Sequence, residues 1–135
     1  MHWARPYIGM PVADGGRGPV EVDCWGLLRL IYLREFNLLL PELPGISVAS
    51  VMERSSEFDK SMGDWVEVQK PFDGAAVGLS QNPPFMHHVG IYTTADGGKI
   101  VHAWKDQHVI ADTLQGLRLK GFRTIKFYKH AQWPT

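Results

Sequence analysis

Asp23-Cys24-Trp25-Gly26-Leu27-Leu28-Arg29-Leu30 holds the only cysteine of the chain, at the point where an amphipathic helix is predicted to begin. Asp23 is a good N-cap, because its side-chain oxygen can accept a hydrogen bond from a free backbone N–H of the first turn. Leu27, Leu28, Ile31, Tyr32 and Phe36 then follow the spacing of one helical face, and Asn37 with the nearby Pro41 supplies a stop. A thiol in the first turn sees the positive end of the helix dipole, which favours thiolate. That alone is weak: a helix end is worth ~0.3–1 kcal/mol, whereas a thiol with a pKa near ~8.5 is only about 3% ionised at pH 7. A nucleophilic Cys24 therefore needs a basic partner. Without one, it reads as a small buried hydrophobe.

Before this stretch, residues 1–22 are broken by Pro6, Gly9, Pro11, Gly15, Gly16, Gly18 and Pro19 and read as loop. Gly15-Gly16-Arg17-Gly18 lacks the Gly-Lys-Ser/Thr ending and preceding strand of a phosphate loop. Its expected role is close backbone approach to the helix that follows. Beyond the helix, residues 47–60 are a weaker helix candidate, with Val48, Val51, Met52 and Phe58 on one face and Gly63 as its end. Strand patterns then take over at 65–68, 74–79, 88–93, 99–104, 108–111 and 121–128. Asp96-Gly97-Gly98 between the third and fourth is a strong hairpin signal. Helices first and strands afterwards predict an α+β fold with a mostly antiparallel sheet.

Six histidines are available as partners: His2, His87, His88, His102, His108 and His130. His88 and His102 lie on the two arms of the predicted hairpin. Their even separation puts them on one face if the loop has an odd residue count or a bulge, which Asp96-Gly97-Gly98 permits. The expected face is the one that meets the Cys24 helix. Cys24 as nucleophile, His88 as base and His102 as the group that orients the base would satisfy the needs of thiol acyl chemistry. A zinc site from His87, His88 and His102 is disfavoured, because adjacent strand residues point to opposite faces.

With 135 residues, 44% hydrophobic and 21% charged, the composition is that of one globular domain. Lys plus Arg and Asp plus Glu balance at 14 each, so no net charge points to nucleic acid or an acidic membrane. One cysteine excludes an intrachain disulfide and a cysteine-rich zinc finger. Neither a signal-peptide core nor a run of ~18 apolar residues is present, so the expectation is cytoplasmic synthesis without membrane insertion. No cofactor or metal is expected.

Gly15-Gly16, Asp23-Cys24-Trp25-Gly26-Leu27, His88-Val89-Gly90-Ile91-Tyr92 and Ile100-Val101-His102-Ala103, in that order, resemble the NlpC/p60 cysteine peptidases, which are bacterial cell-wall endopeptidases. The resemblance implies a papain-like fold over a single domain, 1–135. It also implies the nucleophile, base and orienting roles for Cys24, His88 and His102. The implied reaction is hydrolysis of peptide bonds in peptidoglycan stems, commonly between γ-D-glutamate and a diamino acid. Two positions depart from the family pattern. Most cell-wall members read Asp-Cys-Ser-Gly, with the serine helping to recognise the substrate's amino end; here the residue is Trp25. Many carry a tyrosine twelve residues before the cysteine; here it is Val12, and Tyr7, off register, is the nearby source of a hydroxyl. Asp23 is expected to cap and organise the site. Trp25 and Trp104 flank the catalytic candidates and, with Asp23 and Tyr7, are candidates for lining a substrate cleft, with core packing the alternative for each tryptophan. Asp-Cys-Trp-Gly-Leu, with Gly-Arg-Gly-Pro upstream and Leu-Pro after the helix, resembles the subgroup found in bacteriophage tails. That likeness implies other tail proteins as partners and delivery by a virion or by lysis. The alternative expectation is a tail assembly protein that keeps the fold with little hydrolytic activity.

Overall fold

The computed structural model describes residues 2–43, 58–105 and 107–133. Helix α1 spans Cys24–Phe36, so the cysteine is its first residue. Asp23 caps it through Oδ1, which accepts from the Gly26 N–H at 2.7 Å. Asn37 ends it in the left-handed conformation, with its N–H donated back to the Tyr32 carbonyl. The helix is less amphipathic than its pattern suggests, because Cys24 through Leu28 are all buried. Two loops cover the side away from the sheet. The Trp25 indole N–H donates to the Pro41 carbonyl at 2.8 Å, and Arg29 Nε to the Leu40 carbonyl at 3.0 Å. On the other flank the Asp23 N–H donates to the Gly16 carbonyl at 2.9 Å. A side chain at Gly26 would collide with that carbonyl, so the expected close approach of the Gly15-Gly16 loop is realised at this glycine.

The strands are β1 (Trp65–Val68), β2 (Ala76–Ser80), β3 (His88–Thr93), β4 (Lys99–Ala103), β5 (Val109–Asp112) and β6 (Thr124–His130). They form one sheet in the order β1-β6-β2-β3-β4-β5, with every neighbouring pair antiparallel. A six-residue helix, α2 (Leu114–Leu119), follows β5. The helix expected over 47–60 lies outside the described residues except at 58–60, which are helical, with Phe58 buried. Gly63 does not end it but sits inside a short 3-10 turn, Met62–Asp64, that leads into β1.

Two cores flank the sheet. Leu27, Leu28, Ile31 and Tyr32 of α1 pack with Val89 and Ile91 of β3 and Val101 and Ala103 of β4. Val77, Leu79, Ile100, Leu117 and Phe122 form the second core. Each fully buried aliphatic side chain contributes about 1.5–3 kcal/mol, so both layers hold the sheet. Trp3, Trp65 and Trp133 are partly buried against the first core, where Tyr32 and Phe36 meet their rings.

Residues 94–98 form a five-residue hairpin loop, with Asp96, Gly97 and Gly98 all at positive φ. The odd count gives the register Tyr92↔Ile100, which places residues of like parity on one face. His88 and His102 therefore share a face, as expected. The face itself is a correction. Tyr92 and Ile100, which share it, belong to the second core, whereas the α1 side is taken by Val89, Ile91, Val101 and Ala103. The alternating apolar residues, not the histidines, satisfy the helix's apolar surface.

Candidate active site

His88 opens β3 and His102 stands near the end of β4. His88 Nε2 and His102 Nδ1 are 2.9 Å apart, within hydrogen-bond distance, with the rings nearly perpendicular at 82°. Gly90 lies between them on this face, and a Cβ there would sit 3.2 Å from the His102 Cβ. The other nitrogen of His102, Nε2, is 2.9 Å from Asp112 Oδ2, and Lys120 Nζ is 3.1 Å from the same oxygen. One polar line therefore runs from His88 through His102 and Asp112 to Lys120.

Phe122 fixes the rings. Its face stacks on His88 at 5.5 Å and 15°, and it meets His102 edge-on at 6.3 Å. Trp104 closes the other side of His102 at 5.9 Å and carries Lys120 Nζ 5.7 Å from its ring centroid. His102 has no exposed surface, and this desolvation drives its pKa below the ordinary histidine value. The positive charge of Lys120 acts in the same direction, and Asp112 opposes both. His102 is accordingly neutral at neutral pH.

At the helix start, Cys24 is buried at 9% exposure. The neighbouring Asp23 carboxylate would repel a thiolate if it stood alone. Instead Arg17 Nη1 pairs with Asp23 Oδ2, while the rest of its guanidinium donates to the Glu42 and Leu43 carbonyls. The negative charge next to the thiol is thus balanced, and the helix N-terminus keeps its favourable sign for thiolate. Asp23 caps the helix, as expected.

Residues 9–124 match the model of the NlpC/P60 family. This chain belongs to the NlpC/P60 family. Among solved structures it is similar to the NlpC/p60 domain of the peptidoglycan hydrolase SagA, with 22% identity, a TM-score of 0.60, and 93% of this chain and 92% of that one covered. It is also similar to NlpC1 from Trichomonas vaginalis, at 16% identity and a TM-score of 0.65 over 98% of this chain and 42% of that one. An NLP/P60-family lipoprotein-like structure from Staphylococcus aureus matches at 18% identity and a TM-score of 0.57, covering 92% and 38%. This NlpC/P60 domain thus spans under half the length of those last two chains. No curated protein sequence matches it significantly. Its α+β fold is the papain-like one, with the cysteine-bearing helix packed on an antiparallel sheet.

Two cleft candidates are placed elsewhere in this NlpC/P60 chain. Tyr7 is buried and donates its hydroxyl to Glu35 in the last turn of α1, about 16 Å along the helix axis from Cys24. Burial and that carboxylate push its pKa up to about 12. It serves the far end of the helix and supplies no hydroxyl at the helix start. Trp25 is 2% exposed, with its N–H committed to Pro41 and its ring tilted against Phe58, so it packs in the core. Val12 pairs with Val22 in an isolated bridge. His87 precedes β3 and escapes strand alternation: its ring also lies on Phe122, at 6.0 Å, and its Nε2 accepts the Gln81 N–H at 3.0 Å. No group of three or more His, Cys, Asp or Glu among the described residues is arranged to hold a metal ion.

Asp112, Lys120 and Phe122 complete the surroundings of the two histidines and are not among the residues expected from sequence. Alternation along Val109-Ile110-Ala111-Asp112 puts Asp112 on the face of His102, since Ile110 pairs with His102 and Ile100 with Asp112. Reading that from sequence needs the β4–β5 register, and the connecting residues 104–108 carry no glycine or proline to mark it.

Proposed function

We propose that this domain is a thiol hydrolase that cleaves stem-peptide amide bonds of peptidoglycan. Cys24 is the nucleophile, His88 the base, and His102 the group that orients His88. The observation that carries this is the His88–His102–Asp112 line, half-buried at His88 and buried at His102 and Asp112, in a member of the NlpC/P60 family whose only cysteine opens helix α1. A half-buried imidazole held at its far nitrogen by a second, neutral imidazole has a defined orientation, which is what general-base catalysis on a thiol requires. Cys24 and His88 each open their element, so the thiol can meet the imidazole past the end of the sheet.

In this mechanism His88 takes the thiol proton, and the thiolate adds to the substrate carbonyl carbon. The developing oxyanion is met by backbone N–H groups at the helix start, that of Cys24 among them. Protonated His88 then delivers its proton to the leaving amine, and water attacks the resulting thioester with His88 as base. Asp23 holds the helix start, and Trp104 borders the histidines. The residue pattern around Cys24 supports an origin in a phage tail or prophage, with delivery to the wall by the virion or on lysis. Among the described residues no helix is long and apolar enough to cross a membrane.

A second reading, a tail assembly protein with little activity, is favoured by one observation. Trp25, where cell-wall members carry serine, is buried with its N–H committed to Pro41.

Mass spectrometry of muropeptides incubated with wild type, Cys24→Ala and His88→Ala separates the two. New peptide fragments from wild type alone are expected and identify the bond. Intact substrate with wild type, together with failed tail assembly by a folded Cys24→Ala protein, would establish the assembly role instead.

A further inference from the structure

The polar line behind His88 does not stop at His102, and its far end decides which way the protons point. We infer that Asp112, held by Lys120, is a positioning residue that fixes the tautomers of both histidines, so that His88 offers the Nδ1 lone pair as its base. The consequence for Cys24 rests on the hydrolase reading; the tautomers themselves do not.

His102 is faced by His88 from β3, by Asp112 from β5 and by Lys120 at the end of α2, with Phe122 and Trp104 filling the remaining sides. A salt-bridged carboxylate has only lone pairs to offer, so the 2.9 Å contact requires the His102 proton on Nε2. A neutral His102 then has a bare Nδ1. The 2.9 Å contact to His88 can be a hydrogen bond only if His88 carries a proton on Nε2 and donates it. Neutral His88 is therefore left with its lone pair on Nδ1. When His88 takes a proton there, the Nε2–H remains donated to His102, and the new imidazolium is stabilised with no proton passing on to Asp112. The opposite tautomer of His102 would set a bare Nε2 against the carboxylate and turn a donor towards His88.

The carboxylate is built into place. Lys120 Nζ lies 3.1 and 3.3 Å from its two oxygens. Gly116, in the first turn of α2, has no side chain where one would strike Asp112 Oδ1. The Thr113 hydroxyl accepts from the Gly116 N–H at 2.9 Å and holds that turn against the carboxylate.

Long-range proton–nitrogen NMR of the histidine-labelled full chain at neutral pH reads the tautomers directly, without substrate. Wild type is expected to show His102 with protonated Nε2 and bare Nδ1; the reverse pattern overturns the inference before any variant is made. Asp112→Asn allows the amide to donate to Nε2, so the Nδ1–H form of His102 becomes populated. Gly116→Ala leaves every charge in place but turns the carboxylate aside, and is expected to mix the same two forms. In both variants, alkylation of Cys24 by iodoacetamide near neutral pH should slow by about tenfold or more as the oriented base is lost. An unchanged His102 tautomer with an unchanged alkylation–pH profile in both folded variants would leave Asp112 as packing only. If the tautomers shift as stated but muropeptides stay intact with wild type, the hydrolase reading fails and the assignment of Asp112 stands.

Discussion

Gly26 is the position where the loop before the helix and the helix itself come closest, and Gly26→Ala opposes two effects of opposite sign. In an ordinary helix interior the change stabilises by about 1 kcal/mol, because alanine loses less backbone entropy. Here the new Cβ would fall 3.0 Å from the Gly16 carbonyl carbon and 3.1 Å from Arg17 Cα, and onto the Gly16 oxygen itself. All three are backbone atoms, so relief requires the 15–18 segment to move as a body. That movement stretches the 2.9 Å bond from the Asp23 N–H to Gly16 and pulls Arg17 from the Asp23 carboxylate. Overpacking of this kind costs about 1–3 kcal/mol, and a lost hydrogen bond about 1 kcal/mol more, so the steric side wins. We expect a net loss of about 2 kcal/mol, a fall in Tm of about 8 °C, followed by circular dichroism. Alkylation of Cys24 should slow in parallel, because the helix start shifts. Gly63→Ala is the control: among the described residues nothing lies within 4 Å of its Cβ position, so stability should hold or rise. A Gly26→Ala protein as stable as the Gly63→Ala protein would show that the loop does not bear on the helix.

Burial holds the pKa of His102 and of His130 below the unfolded histidine value near ~6.5, so the unfolded chain binds more protons as pH falls through that region. Stability should therefore be full above about pH 6.5 and decline on acidification; urea unfolding at stepped pH measures it, and His102→Asn should flatten the slope. Tyr7→Phe removes a bond to a carboxylate and should cost about 1.5–3 kcal/mol by urea unfolding while leaving the Cys24 alkylation rate unchanged; a slowed rate would return Tyr7 to the site. Phe122→Ala empties a position that touches four rings and should destabilise by about 3–5 kcal/mol, with loss of the single His102 tautomer by NMR.

What could be read from sequence follows from how far each signal reaches. The cap at Asp23, the stop at Asn37 and the hairpin at Asp96-Gly97-Gly98 are local: a few residues fix their own backbone, and all three stand as expected. The parity of His88 and His102 is nearly as local, because a five-residue loop sets it. Which layer covers each face is a different kind of question. His-Val-Gly-Ile-Tyr-Thr alternates, yet alternation says only that Val89 and Ile91 share a side. The catalytic expectation assigned the histidines to the helix side, whereas burial assigned them to the side of Phe122 and Leu117. The energetics explain the outcome. The apolar residues of α1 gain more from Val89, Ile91, Val101 and Ala103 than from two imidazoles needing hydrogen-bond partners. Those partners come from β5 and α2. A six-residue helix is too short to show a period, so Lys120 could not be placed beside Asp112 from sequence. The polar line is thus assembled from four residues, on β3, β4, β5 and at the end of α2, that no local pattern joins. Its buried histidine is tolerable because every member of it has a partner: His88 has His102, His102 has Asp112, and Asp112 has Lys120.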